Sequence, residues 1–132
     1  MRETARRVYP WAIYVLAVAV VVQFLLAGLG IFTNAYFFFF HAVVNAPIIF
    51  FLPLIAVLIG WLGRVPGRML ALTAAVAGLT VLQSIFLIPY HIDGAPPWLR
   101  AISALHVLNA LFIFWVALQL VDRTRTWAAR PA

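Results

Sequence analysis

Four long apolar stretches, joined by short polar or proline- and glycine-containing segments, make up almost the whole chain of 132 residues. Each stretch has at least the roughly 20 residues that an α-helix needs to cross a bilayer. Two connections, "TNA" and "GRVPG", are tight, and the third, "YHIDGAPP", is a longer turn, so consecutive helices must run antiparallel. The pattern predicts an all-α, up-down-up-down four-helix bundle in the membrane, one domain over residues 1–132, with spans at about residues 9–32, 35–62, 68–89 and 98–121.

The composition supports a membrane protein and excludes a large soluble domain. Hydrophobic residues make up 67% of the chain, charged residues 9%, and the mean hydropathy is +1.09, whereas soluble domains carry about 25% charged residues. The absence of cysteine excludes disulfides, iron–sulfur clusters and thiolate catalysis.

The net charge of +6 comes entirely from arginines, and nearly all of them flank the apolar stretches. The positive-inside rule explains such a charge without nucleic acid as a partner. The lipid bilayer is therefore the expected environment, with both termini in the cytoplasm. Under this topology Arg100 alone lies at the outer face, and eight arginines lie at the inner face: Arg2, Arg6, Arg7, Arg64, Arg68, Arg123, Arg125 and Arg130.

A weak internal repeat relates the first two spans to the last two. "VVQFLLAG" aligns with "VLQSIFLI", which places Gln23 on Gln83, and "HAVVNAPIIFF" aligns with "HVLNALFIFW", which places His41 on His106. A one-residue slip is needed to bring Asn45 onto Asn109. Two-span units of this kind are parallel repeats, related by a pseudo-twofold axis along the membrane normal. Chance similarity between apolar segments is the alternative.

These six polar residues are expected to form one layer in the outer half of the bilayer. At ~1.5 Å per residue, His41 lies about 9 Å and His106 about 12 Å from the outer ends of their spans. Residues three or four apart share a helix face, so each histidine points the same way as its asparagine. Polar side chains in hydrocarbon need partners, and interhelical packing alone is one explanation of the whole layer.

The two histidines suggest a ligand between them, because spans 2 and 4 are diagonal in such a bundle, on the order of 12–14 Å apart. Zinc prefers four nitrogen, sulfur or oxygen ligands, and the core offers two. Copper favours thiolate or thioether, but Met1 and Met69 lie at the inner surface. Haem supplies four equatorial nitrogens itself, so two axial histidines complete its iron.

Other polar residues have supporting roles in this scheme. Gln23 or Gln83 is expected to bond the free ring nitrogen of an axial histidine and so fix its tautomer, with Asn45 and Asn109 beside them. At the outer mouth, Arg100, with Tyr90 and Asn34, is a weak candidate for binding haem propionates. His91, in "PYHIDG", is either simply solvated or serves a propionate, a proton path or a partner.

With glutamine in spans 1 and 3, and with "HAVVNAP" and "LHVLNA" opening spans 2 and 4, the chain resembles an uncharacterised family of small bacterial four-span membrane proteins. That resemblance implies a location in a bacterial cytoplasmic membrane, and it implies no established activity. In ligand arrangement the chain is also similar to bis-histidine membrane b-type cytochromes, which implies axial positions at His41 and His106. With only two core histidines, it implies one haem b at most.

The leading prediction is therefore a one-haem membrane cytochrome b that transfers electrons near the outer leaflet, to or from quinone or a redox protein. A non-haem accessory or structural subunit and a transporter or channel subunit remain alternatives. No catalytic constellation is present in the sequence, so any redox activity would depend on the cofactor. The sequence does not predict an oligomeric state.

Overall fold

A computed structural model describes residues 1–129 of the chain, and this part is all-helical. Arg130 therefore lies outside the described residues. All four helices are long and apolar enough to cross a membrane. The prediction of four membrane-spanning helices is confirmed: α1 spans Arg2–Phe32, α2 spans Phe37–Leu62, α3 spans Gly67–Ile85 with a 3-10 turn at Ile88–His91, and α4 spans Pro97–Ala128.

The helices form a cycle in which each packs on two neighbours. Helix α1 contacts α2 and α4, and α3 contacts the same two helices, so α2 and α4 are diagonal, as the short connections predict. We name the two ends of the bundle by their residues. The arginine-rich end contains Arg2, Arg6, Arg7, Arg64, Arg68, Arg123 and Arg125, and the histidine end contains His41, His91 and His106.

Helices α1 and α4 extend beyond the apolar stretches at the arginine-rich end. The sequence pattern places the first span from residue 9 and the last up to residue 121, whereas the helices begin at Arg2 and end at Ala128. Helical geometry continues because the terminal segments, "RETARR" and "DRTRTWA", contain good helix formers and no breaker. The hydropathy pattern indicates where a helix enters the apolar part of the membrane, and the helix itself extends beyond that point.

Tight packing fixes the helices at the arginine-rich end. The side chain of Tyr9 is fully buried, and its hydroxyl donates to Thr73 Oγ1 at 2.8 Å, since the Thr73 hydroxyl itself donates to the Met69 carbonyl. Gly60 of α2 makes this arrangement possible: a Cβ there would lie 2.9 Å from the Tyr9 ring and 2.6 Å from a Leu70 methyl. The core therefore reaches its highest burial far from the histidines.

Regular α-helix is interrupted at the histidine end of both α2 and α4. In α2, Phe40–Asn45 forms a π-helical turn that contains His41, and the Ala46 N–H donates to the His41 carbonyl. In α4, a 3-10 turn at Ile102–Ala104 precedes His106. Single π turns within α-helices occur frequently at functional sites. The irregular backbone thus lies beside the polar residues that the sequence singles out.

Candidate ligand site between the two histidines

The first half of the bundle joins His41 to Gln23 by two reciprocal hydrogen bonds. His41 Nδ1 lies 3.0 Å from the backbone carbonyl oxygen of Gln23. In return, the Gln23 side-chain amide donates to the His41 backbone carbonyl at 2.9 Å. A carbonyl oxygen only accepts, so Nδ1 must carry the hydrogen, and the other ring nitrogen, Nε2, keeps its lone pair. The structure thus fixes the tautomer of His41.

Asn45 completes this first network. Its side-chain amide donates to Gln23 Oε1 at 2.6 Å and to the backbone carbonyl of Ala19 at 2.8 Å. Asn45 is 6% exposed, so these bonds are made away from lipid and solvent. Both ends of the Gln23 amide are therefore engaged, as apolar surroundings require of a polar side chain.

The second half of the bundle repeats the same four hydrogen bonds between α3 and α4. His106 Nδ1 donates to the Gln83 backbone carbonyl at 3.1 Å, and the Gln83 amide donates to the His106 carbonyl at 2.8 Å. Asn109 donates to Gln83 Oε1 at 2.5 Å and to the Leu79 carbonyl at 2.9 Å. Both histidines therefore have the same tautomer, with Nε2 available as a ligand.

The π turn in α2 explains the one-residue slip in the repeat. His41 and Asn45 are four residues apart, whereas His106 and Asn109 are three apart. Since a π turn contains one more residue than an α turn, the longer spacing in α2 and the shorter one in α4 put the asparagine in the same place relative to its histidine. The two halves match in geometry although their sequences do not align without a gap.

Between the two networks lies a cavity of about 230 Å³ that is lined by both histidines. Its walls are mainly apolar, and every lining residue has a counterpart in the other half of the bundle. The eight pairs are Val20 and Thr80, Gln23 and Gln83, Phe24 and Ser84, Ala27 and Leu87, His41 and His106, Ala42 and Val107, Ala46 and Ala110, and Ile49 and Ile113. The cavity therefore lies on the pseudo-twofold axis.

The two sides of the cavity differ where the paired residues differ in size. Phe24 stands opposite Ser84, and its ring packs edge to face on Phe114 of α4, with centroids 5.9 Å apart. Ser84 and Leu87 also line a surface pocket that includes His91. The α3 side of the cavity thus leads toward the surface of the histidine end, whereas an aromatic pair lies on the α1 side.

The structure brings six of the predicted site residues together, namely Gln23, His41, Asn45, Gln83, His106 and Asn109. The predicted bond between each glutamine and a histidine ring nitrogen is present, and the structure shows which atoms form it. The ring nitrogen of each histidine bonds the backbone carbonyl of its glutamine, not the side chain, which reaches the histidine backbone instead.

The proposed propionate residues lie away from the cavity. Arg100 is exposed, and it is not among the residues that line the cavity. The Asn34 side chain accepts a bond from the Tyr36 N–H, and Tyr90 packs edge to face on His91. His91 is exposed, and its Nδ1 donates to the Leu87 carbonyl at 2.9 Å.

Sequence reasoning missed the apolar wall of the site. Phe24, Ala46, Ala110 and their neighbours carry no chemical signal of their own, although Phe24 directly follows Gln23. The internal repeat would have found them, because each aligns with a residue that faces the same axis.

The chemistry of the site is that of two imidazoles that line one mainly apolar cavity. Within residues 1–129, no group of three or more His, Cys, Asp or Glu side chains could hold a metal ion. The protein side chains alone therefore do not form a closed coordination shell, and two histidines suit a metal that brings its remaining ligands with it.

Residues 23–88 match the Family of unknown function (DUF6220). The matched segment contains Gln23, His41 and Asn45 of the first network and reaches Gln83, whereas Ala19, His106 and Asn109 lie outside it. No match is found among curated proteins or among solved structures.

Proposed function

Since the chain belongs to this family, whose description assigns no activity, we propose a function from the site itself: the protein is a membrane-embedded electron-transfer protein that holds one b-type haem between His41 and His106. The observation that carries the proposal is the matched tautomer. Both histidines commit Nδ1–H to a glutamine carbonyl and leave Nε2 free beside one shared cavity. Metal-ligating histidines characteristically donate their other ring N–H in this way.

Packing alone accounts for only part of the arrangement. The polar bonds join α1 to α2 and α3 to α4, within each half of the bundle. None of these bonds crosses between the halves, where the cavity that both histidines line is found. A purely structural network would need neither a free ligand atom nor a space between its two copies. This difference favours a bound group over the accessory-subunit alternative.

The apolar lining of the cavity suits a macrocycle, but the volume of the cavity is small for one. Aliphatic and aromatic side chains form most of its wall, as in most organic ligand sites, but its volume of about 230 Å³ is below the roughly 300–1,000 Å³ common for them. Binding a porphyrin therefore requires side chains such as Leu87 and Phe24 to move. The π turn and the 3-10 turn place the least regular backbone at this end.

A bound haem would supply a one-electron ferric–ferrous couple. The residues of the chain would ligate the iron, hold the imidazoles in one tautomer and exclude water. The Gln23 and Gln83 carbonyls accept the Nδ1–H bonds and so orient the rings, the role that outer partners have for metal-ligating histidines. The apolar lining lowers the local dielectric, which disfavours a net charge on the iron.

The arginine distribution indicates how the protein would sit in the membrane. Seven arginines of the described segment lie at the arginine-rich end, and Arg100 lies at the other. By the positive-inside rule, the arginine-rich end and both termini would face the cytoplasm of a bacterial cell. The haem would then lie nearer the outer leaflet, where quinone or a redox protein is the expected partner.

The proposal is tested by the haem content of the purified protein. Cells supplied with haem precursor should yield about one haem per chain for the wild type, and His41→Ala and His106→Ala should each lose most of it. His91→Ala is the matched control, because His91 is exposed and does not line the cavity. Equal haem in all four proteins, or none in a folded wild type, would contradict the proposal. In the second case the accessory-subunit alternative becomes the leading one.

A further inference from the structure

A second cleft lies at the opposite end of the molecule, between the start of α1 and the end of α4. Its volume is about 840 Å³, and its lining combines basic and aromatic side chains, among them Arg2, Arg6, Trp11 and Trp127. We propose that this cleft binds the headgroup of one anionic phospholipid. The proposal is independent of the haem site.

The charge of the cleft is positive and only partly neutralised. Arg2, Arg6, Arg7 and Glu3 line it, and Glu3 forms an ion pair with Arg7 one helical turn away. Within residues 1–129 no carboxylate pairs with Arg2 or Arg6. Two guanidinium groups therefore remain to bind an anion, and their planar N–H donors match phosphate oxygens.

Arg6 is held in place by the far wall of the cleft. Its guanidinium lies over the Trp127 ring, 5.1 Å from the centroid, and Trp127 in turn packs edge to face on the buried Tyr9. Arginine stacked on an aromatic face keeps its edge donors free. The positive charge is thus fixed between α1 and α4, which reduces the entropy cost of binding.

The other wall of the cleft is apolar and leads toward the membrane. Trp11 is 69% exposed and packs edge to face on Tyr14, and both belong to the part of α1 that enters the apolar stretch. Tryptophan and tyrosine typically sit at the level of lipid headgroups. A ligand that fills the cleft therefore needs an anionic head for the arginines and an apolar chain for Trp11, and a phospholipid combines the two.

Within residues 1–129, the cationic and aromatic residues that line the cleft are not repeated in the other half of the bundle. The pseudo-twofold axis superposes α1 on α3 and α2 on α4. When Asn45 is superposed on Asn109, Gly63 falls at the position of Trp127. When Gln23 is superposed on Gln83, Arg6 falls at the position of Pro66. The cationic and aromatic groups are therefore specific to one side, which points to a single lipid per chain.

The experiment is native mass spectrometry of the full chain in detergent with added phosphatidylglycerol or phosphatidylcholine. We expect one phosphatidylglycerol molecule to stay bound in preference to phosphatidylcholine. Near a membrane surface each arginine contributes enough to change anionic lipid binding roughly fivefold. Arg2→Gln should therefore weaken retention about that much, and the Arg2→Gln, Arg6→Gln double variant more.

Arg68→Gln is the matched control, since Arg68 is an exposed arginine at the same end that does not line the cleft. It should retain phosphatidylglycerol as the wild type does. Equal retention of the two lipids by the wild type would overturn the proposal, as would the same loss in Arg68→Gln as in Arg2→Gln. Displacement of the lipid by inorganic phosphate alone would also overturn it, because the apolar wall would then contribute nothing.

Discussion

Each histidine of the site is oriented by the backbone of the neighbouring helix. Because the acceptor of Nδ1–H is the carbonyl of Gln23 or Gln83, any residue at that position provides it. The glutamine side chain acts separately, since it links the histidine backbone to the asparagine. The backbone carbonyl of each glutamine therefore orients the histidine ring, and its side-chain amide joins the helices.

This separation predicts the effect of Gln23→Leu. The substitution removes two interhelical hydrogen bonds of the side chain but keeps the carbonyl that orients His41. Such bonds are worth about 0.6–2 kcal/mol each in membranes, so we expect the variant to unfold more readily by about 1–4 kcal/mol and still to bind haem. Unfolding in mixed micelles and haem content measure the two effects.

Gln83→Leu is the matched variant in the other half and should behave alike, because the four bonds are the same. Loss of haem from either variant at unchanged stability would show that the glutamine side chain, not its carbonyl, controls the histidine.

At the scale of elements, the π turn of α2 compensates for an extra residue. His41 and Asn45 are separated by one residue more than their counterparts in α4, yet they form the same bonds. In an α-helix, residues three apart and residues four apart both lie on one face, so this rule places each asparagine on the face of its histidine. The rule does not predict the π turn. The π turn depends on a tertiary contact, because His41 and Asn45 must both reach Gln23 on α1.

Deleting Val44 should therefore be tolerated. Val44 is 45% exposed within the π turn, and its removal gives α2 the histidine–asparagine spacing that α4 already has. We expect the variant to keep a folded bundle and the haem level of the wild type. Size-exclusion chromatography and absorbance report on both.

Deletion of Leu58 is the control, since Leu58 is similarly exposed but lies in regular helix. Removing one residue there rotates the rest of α2 by roughly 100°, which separates Gly60 from Tyr9 and should abolish folding. Equal tolerance of the two deletions would contradict the role assigned to the π turn.

The turn between α2 and α3 is held by a left-handed residue. Arg64 has φ of 54°, and the Val65 N–H donates to the Gly60 carbonyl while the Arg64 N–H donates to Trp61, the two bonds of a Schellman motif. Glycine usually occupies this position, because a side chain costs roughly 1–2 kcal/mol in that conformation.

Arg64→Gly should therefore stabilise the bundle by about 0.5–1 kcal/mol, the gain being reduced by the greater freedom of glycine in the unfolded chain. Thermal unfolding in detergent measures it. Arg64→Ala is the control that removes the charge and keeps the strained backbone. If alanine stabilises as much as glycine, the effect is electrostatic and the account of the turn is wrong.

At the scale of the whole molecule, the sequence predicted the bundle well because each span is long, apolar and bounded by arginine or by turns. It also paired His41 with His106 and Gln23 with Gln83, since polar residues are rare in such helices. A ligand site between the histidines was predicted, but its walls escaped prediction because they are ordinary apolar residues. The cleft at the arginine-rich end escaped prediction because Arg6 and Trp127 are distant in sequence and meet only when α4 extends to Ala128.

The pseudo-twofold axis unites these features. Two equal networks fix two equal imidazoles, and the cavity lies between them on the axis, while the ends of the helices depart from the symmetry. A ligand bound on such an axis contacts both halves alike, and bis-histidine ligation of one iron meets that condition. The proposed ligation therefore agrees with the symmetry of the site.

The most direct test of this account is the absorption spectrum of the purified protein, oxidised and then reduced with dithionite, from cells supplied with haem precursor. A single six-coordinate haem held by His41 and His106 predicts a sharp reduced α-band at the b-type position. This band should disappear in His41→Ala and in His106→Ala and persist in His91→Ala. A folded wild-type protein without colour, or a band that survives both cavity substitutions, would contradict the central claim.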